Sequence, residues 1–137
     1  MVAVSACLLG YNCRYDASNS ACETLIERIR SESVLAICPE QLGGLPTPRS
    51  PARIFGGDGF DVLEGKASVI DSEGIEVTEA FVKGAFAALD QIRRYNVKRC
   101  FLKSKSPSCG LGKEEGSIGV LAALLTREGF EVEEIKS

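Results

Sequence analysis

The chain has 137 residues, 45% of them hydrophobic and 26% charged, with a formal net charge of −3 and an isoelectric point near 5.1. That is the composition of an ordinary soluble protein, long enough for one domain, residues 1–137, to bury a core without disulfides. The acidic balance argues against a broad basic face for nucleic acid, and Val2–Leu9 is too short for a signal core or a membrane span, so the expectation is a cytoplasmic protein with no membrane partner.

In chain order, Met1–Leu9 reads as a strand buried on both faces, ending at Cys7. Gly10–Asn19 is a turn-rich loop with Cys13, Arg14, Tyr15 and Asp16. Ser20-Ala-Cys-Glu23 has the capping-box form and predicts a helix from Ser20, with Cys22, Leu25, Ile26 and Ile29 on its core face. Val34–Ile37 is a second strand, stopped by Cys38-Pro39. Gln41–Phe60 is rich in Gly and Pro and predicts an irregular loop, of a length that is usually functional. Lys66–Val77 alternates as a hairpin turning near Asp71–Gly74. Thr78 is expected to cap a helix from Glu79 to about Tyr95, with Phe81, Val82, Ala85, Phe86, Leu89 and Ile92 inward. Val97–Leu102 is a strand containing Cys100. It runs into the loop Lys103-Ser-Lys-Ser-Pro-Ser-Cys109-Gly110. Ser117 is expected to cap a last helix with Ile118, Leu121, Leu124 and Leu125 inward, and Val132–Ile135 is an edge strand. Strands alternating with helices predict an α/β fold: a single-domain three-layer parallel sheet, Rossmann-like or flavodoxin-like, with a small hairpin appendage.

Six cysteines and no histidine are an unusual stock for a cytoplasmic chain. Reducing conditions disfavour disulfides, so metal binding or catalysis leads, through thiolates and carboxylates. Cys7, Cys38 and Cys109 each lie between a strand end and a Gly or Pro, and ligands of open parallel sheets bind beyond such ends. These three are read as one metal centre. Cys22 and Cys100 are read as small core hydrophobes. Cys13 stays open as a fourth ligand, a resolving thiol or a bystander. No C-x-x-C pair supports a zinc ribbon, a thioredoxin dithiol or a ferredoxin run. Six residues separate Cys7 from Arg14, one too many for the phosphate loop of low-molecular-weight phosphatases. Glu40 lies two residues past Cys38 and suits proton transfer, or is a solvated glutamate. Arg49, Arg53, Lys103 and Lys105 suit an anion or are solvated. Ser104, Ser106 and Ser108 are turn residues or donors.

Val4-Ser-Ala-Cys7-Leu-Leu-Gly10, Cys13-Arg-Tyr-Asp16, Cys38-Pro-Glu-Gln-Leu-Gly-Gly-Leu-Pro-Thr-Pro-Arg49 and Lys103–Gly110 together resemble the thiouracil desulfurase (TudS-like) family. The resemblance extends to Gly56–Gly59, Asp61–Ala67 and Val77–Phe81. It implies a 4Fe–4S cluster held by Cys7, Cys38 and Cys109 with one iron open as a Lewis acid. It also implies a non-redox reaction in which a thiolated pyrimidine of the 2- or 4-thiouracil type loses sulfide and gains oxygen from water. Glu40 is then the candidate for proton transfer, assisted by Ser104 or Ser106, with Arg14, Asp16, Lys103 and Ser108 at the substrate. The implied partner is a free thiolated nucleobase or nucleoside, favoured over tRNA. The chain departs from the family at Ala17, where Tyr-Asp is usually followed by Gly, and in a short Leu111–Gly116 segment. Two other classes compete: a non-catalytic sulfur or metal carrier, and a redox protein using Cys7 and Cys13. An exposed cluster with an open iron is expected to be lost on aerobic purification.

Overall fold

The structure is a computed structural model that describes residues 1–112 and 117–136. Its elements are β1 (Val2–Ser5), a 3₁₀ turn (Ala6–Leu9), α1 (Glu23–Arg28), β2 (Val34–Ile37), α2 (Pro39–Leu42), β3 (Ala52–Phe55), α3 (Gly59–Leu63), β4 (Ser68–Asp71), α4 (Thr78–Arg94), β5 (Arg99–Lys103), α5 (Val120–Arg127) and β6 (Glu131–Ile135). Four strands form one sheet in the order β2-β1-β5-β6, and each pairing is parallel. β3 and β4 form a separate antiparallel pair. The α/β class, the parallel sheet and a small antiparallel appendage are thus as the pattern predicts.

Val2, Ala3 and Val4 are at most 1% exposed because β1 lies inside the sheet with helices over both faces. Ala3, Ile37, Cys100 and Leu102 join α4 and α5 in one core. Val2, Val4 and Phe101 pack on the other side with Leu25 and Ile29, from α1 and its C-terminal end. β1 pairs with β2 on one side and β5 on the other, so the crevice beside it opens where the chain reverses its direction of winding.

Several expectations are corrected. The first helix begins at Glu23, not Ser20. The amides of Ser20 and Cys22 donate to the carbonyls of Cys7 and Leu8 instead, at 2.9 Å each, which holds that segment extended along the 3₁₀ turn. Gln41–Phe60 is not irregular throughout: it contains the end of α2, all of β3 and the start of α3. The main partner of β4 is therefore β3, while the predicted hairpin survives as a turn with a single bridge, Ile70 to Glu76. Thr78 does not cap α4. Its hydroxyl accepts the Val69 amide at 2.8 Å, and Val77 is the cap residue. Phe86, expected inward, is 46% exposed. Ser117 does not cap the last helix, whose cap residue is Gly119. Within the short Leu111–Gly116 segment, residues 113–116 lie outside the described residues.

Candidate functional site

Because β1, β2 and β5 run parallel, their C-terminal ends share one rim of the sheet, and each is followed directly by a cysteine-bearing segment. Cys7 lies in the 3₁₀ turn that continues β1, closed by Gly10 at φ +99°, a left-handed geometry glycine adopts without strain. Cys38 is the cap residue of α2, with Pro39 in the first helical position. Cys109 ends a tight turn after β5. The Ser106 hydroxyl accepts the amides of Ser108 and Cys109 at 3.1 and 3.0 Å. The carbonyls of Pro107, Ser108 and Gly110 accept the amides of Val120, Ala122 and Gly119, so the start of α5 uses its otherwise unpaired N–H groups to hold the cysteine turn.

The three segments surround a pocket of about 390 Å³ whose walls include Cys7, Cys13, Cys38, Glu40, Ser104 and Cys109. Burial above all pushes the Cys109 thiol up to about 12, with nearby hydroxyls of Ser5 and Ser106 acting the other way. Contact with the Cys38 thiol lowers that of Cys13, but contact with Cys7 together with burial outweighs it and leaves Cys13 at about 11. The Cys38 thiol is raised, first by its contact with the Cys13 thiol and then by burial. Cys13 therefore sits between two of the predicted ligands. Cys100 lies away from the pocket, buried in the core as expected, and Cys22 is half-buried against the α1 side.

The donor set fits a thiolate-held iron–sulfur group. Three strand ends deliver thiols to one cavity and the chain has no histidine to compete as a ligand. Among the described residues no three Cys, His, Asp or Glu side chains crowd together closely enough to hold a single metal ion. The thiols of Cys7, Cys13, Cys38 and Cys109 line one cavity.

Glu40 faces this cavity with both carboxylate oxygens engaged. Oε1 accepts from Arg49 Nε at 3.0 Å and Oε2 accepts from Ser108 Oγ at 3.1 Å. Ser108, expected at the substrate, is buried behind Glu40 and is absent from the pocket wall. Ser104 and Ser106 do line it, although neither bonds Glu40, and Ser106 is already occupied by two backbone amides. Lys103 is also on the wall; its amide donates to Ser5 Oγ at 2.9 Å and its ammonium to the Ser104 carbonyl at 3.0 Å. Arg14 lines the pocket beside Tyr15, its guanidinium 5.7 Å from the ring centre. Asp16 lies outside, exposed; the Ser18 hydroxyl beside it holds its carboxyl below the usual range. Arg53 stands over the Phe55 ring, away from the cavity. Sequence reasoning passed over Ser5, hidden inside an apolar strand, and read Arg49 as an anion binder or a solvated side chain, whereas it is buried against Glu40.

The profile of the 2-thiouracil desulfurase family matches residues 2–136. The uncharacterized protein YbbK of Bacillus subtilis (strain 168) is 40% identical over 141 residues, which span 96% of this chain and 93% of that protein. A solved structure, the 4Fe–4S-dependent thiouracil desulfidase TudS, superposes with a TM-score of 0.80 at 35% identity, over 97% of this chain and 89% of that one.

Proposed function

Since the chain belongs to the 2-thiouracil desulfurase family, we propose that residues 1–137 form one catalytic domain that removes sulfur from a thiolated pyrimidine, as free base or nucleoside, giving the oxo base and sulfide in the cytoplasm. The observation that carries this reading is the meeting of three strand-end thiols with Glu40 in one cavity. Cys7, Cys38 and Cys109 are the residues that would hold a 4Fe–4S cluster. When bound, such a group supplies a Lewis-acidic iron for the substrate's sulfur.

The protein's own residues do the rest. The cavity of about 390 Å³ is at the small end of ligand sites, roughly 300–1,000 Å³, and the proposed substrate is a small one, a free base or nucleoside. Each oxygen of Glu40 accepts one hydrogen bond from the protein and keeps lone pairs for a pocket water. Glu40 takes a proton from that water as its oxygen bonds the ring carbon. It passes that proton to the sulfur, then takes the second proton from the new hydroxyl as C=O forms and the carbon–sulfur bond breaks, and gives it to the departing HS−, so C=S and water become C=O and H₂S with no electron transferred. The buried Ser104 hydroxyl, on the wall, is available to the substrate. Arg14 and Lys103 border the space a ring would occupy.

Anaerobic reconstitution followed by sulfide assay on 2- and 4-thiouracil tests the reading. About four irons and four sulfides per chain are expected, with turnover lowered about 10²–10⁴-fold but measurable in Glu40→Gln and iron lost in Cys109→Ala. A loaded protein that turns over no thiopyrimidine would overturn it. The contacts of Cys13 with the Cys7 and Cys38 thiols support a second reading, a dithiol redox protein. That reading requires a Cys13 disulfide after mild oxidation, together with no desulfurisation.

A further inference from the structure

Arg49 ties together more of the site's segments than any group it serves. Its side chain is 8% exposed and pairs with Glu40, itself 16% exposed. Nε donates to Glu40 Oε1 at 3.0 Å, Nη2 to the Cys13 carbonyl at 2.9 Å, and Nη1 to Thr47 Oγ1 at 2.9 Å and the Pro46 carbonyl at 3.2 Å. Its backbone amide donates to the Tyr15 carbonyl at 2.7 Å. One guanidinium thus joins the loop after Cys7 to α2, the helix capped by Cys38, and Ser108 joins Glu40 onward to the Cys109 turn. A guanidinium spreads its donors over three nitrogens in one planar fork and so spans separated acceptors, whereas an ammonium holds its three donors on a single nitrogen.

We propose that Arg49 is a positioning residue for the desulfurisation, acting through Glu40. It fixes the carboxylate at the cavity wall in the one orientation that leaves its remaining lone pairs toward the pocket. This rests on the functional reading above, since a positioned carboxylate matters only if Glu40 moves a proton. The side chain's hydrogen bonds go to Glu40, to Thr47 and to backbone carbonyls, and none goes to a thiol among the described residues. Arg49 also borders the cavity, but all three of its side-chain nitrogens are engaged within the protein, so loss of the fork should slow turnover and leave iron binding and substrate affinity in place.

The test uses reconstituted full-length protein and the substitution Arg49→Lys, which keeps the charge and removes the fork, with Arg49→Gln as a second variant. Loss of orientation at a reacting group typically costs roughly 10–100-fold. Arg49→Lys is expected to lower kcat by about that factor with KM within twofold and iron content unchanged. Arg49→Lys combined with Glu40→Gln should be no slower than Glu40→Gln alone, because one step is disabled in both. A cofactor-free readout accompanies this. In the apo protein, the NMR signal of the Arg49 Nε–H should be protected from water exchange and should move in Glu40→Gln. Full kcat in Arg49→Lys, additive losses in the double variant, losses that follow iron content, or an unprotected Nε–H would each overturn the proposal. Wild-type protein without turnover would instead sink the functional reading, and this role with it.

Discussion

Ala17 has φ of +62°, in the left-handed region that L side chains seldom adopt. The resembled motif usually has glycine there, and the cost of keeping a side chain is about 1 kcal/mol. Ala17→Gly is expected to raise the thermal midpoint by about 3 °C, read by circular dichroism; a lower midpoint would mean that the alanine methyl makes a contact worth more than the strain. The serines of the Cys109 turn divide in the same residue-by-residue way. Ser106 serves two backbone amides, so Ser106→Ala should loosen the turn and lower iron retained after reconstitution. Ser108 donates its hydroxyl to Glu40, so Ser108→Ala should keep iron and lower kcat several-fold. Iron assays and steady-state rates on the two variants side by side distinguish them, and equal iron loss in both would refute the division.

Helix α2 carries Glu40 and is seated on α4 by backbone contact. A Cβ added at Gly84 would lie 1.8 Å from the Pro39 carbonyl oxygen, and one at Gly43 would lie 2.0 Å from that of Ala80. In an exposed helix Gly→Ala gains about 1 kcal/mol. Here the methyl has no room, and Gly84→Ala should cost about 3 kcal/mol, the upper end of ordinary overpacking. It should also push α2 off its seat, so urea unfolding and iron content should fall together; an unchanged midpoint would show that the helices are not in contact. This packing explains why α4 was legible and its surroundings were not. The apolar period of Phe81, Ala85, Leu89 and Ile92 announces the helix, whereas the role of Gly84 depends on a partner 45 positions away in the chain at Pro39. β3 was hidden for a related reason. Ala52–Phe55 is an ordinary short strand between Pro51 and Gly56, and only its pairing with β4 gives it structure. At α1, the capping-box pattern lost to two backbone hydrogen bonds with the 3₁₀ turn.

Over the whole molecule, the gathering of Cys7, Cys38 and Cys109 could be anticipated because a parallel sheet sends all its strand ends to one rim. The bonds of Glu40 to residues 9 and 68 positions distant could not, since no periodicity encodes a side-chain hydrogen bond. The same sheet makes a prediction about pH. Cys100 sits within β5, 1% exposed, between the ladders of β1 and β6. Burial raises its thiol from 9.0 to about 12. A raised folded-state value means that the native protein binds this proton more tightly than the unfolded chain does. The contribution is therefore complete below pH 9 and is lost as pH climbs toward about 12. In that window each such thiol steepens the loss of stability by about 1.4 kcal/mol per pH unit. Urea unfolding of the apo protein under strong reductant should give a plateau to pH 9 and a decline above it. Cys100→Ala should start lower, because a buried side chain has been shortened, yet decline less steeply. Parallel curves for the two proteins would show that Cys100 does not stay protonated in the core, and that the strand between the site and α4 is open to water.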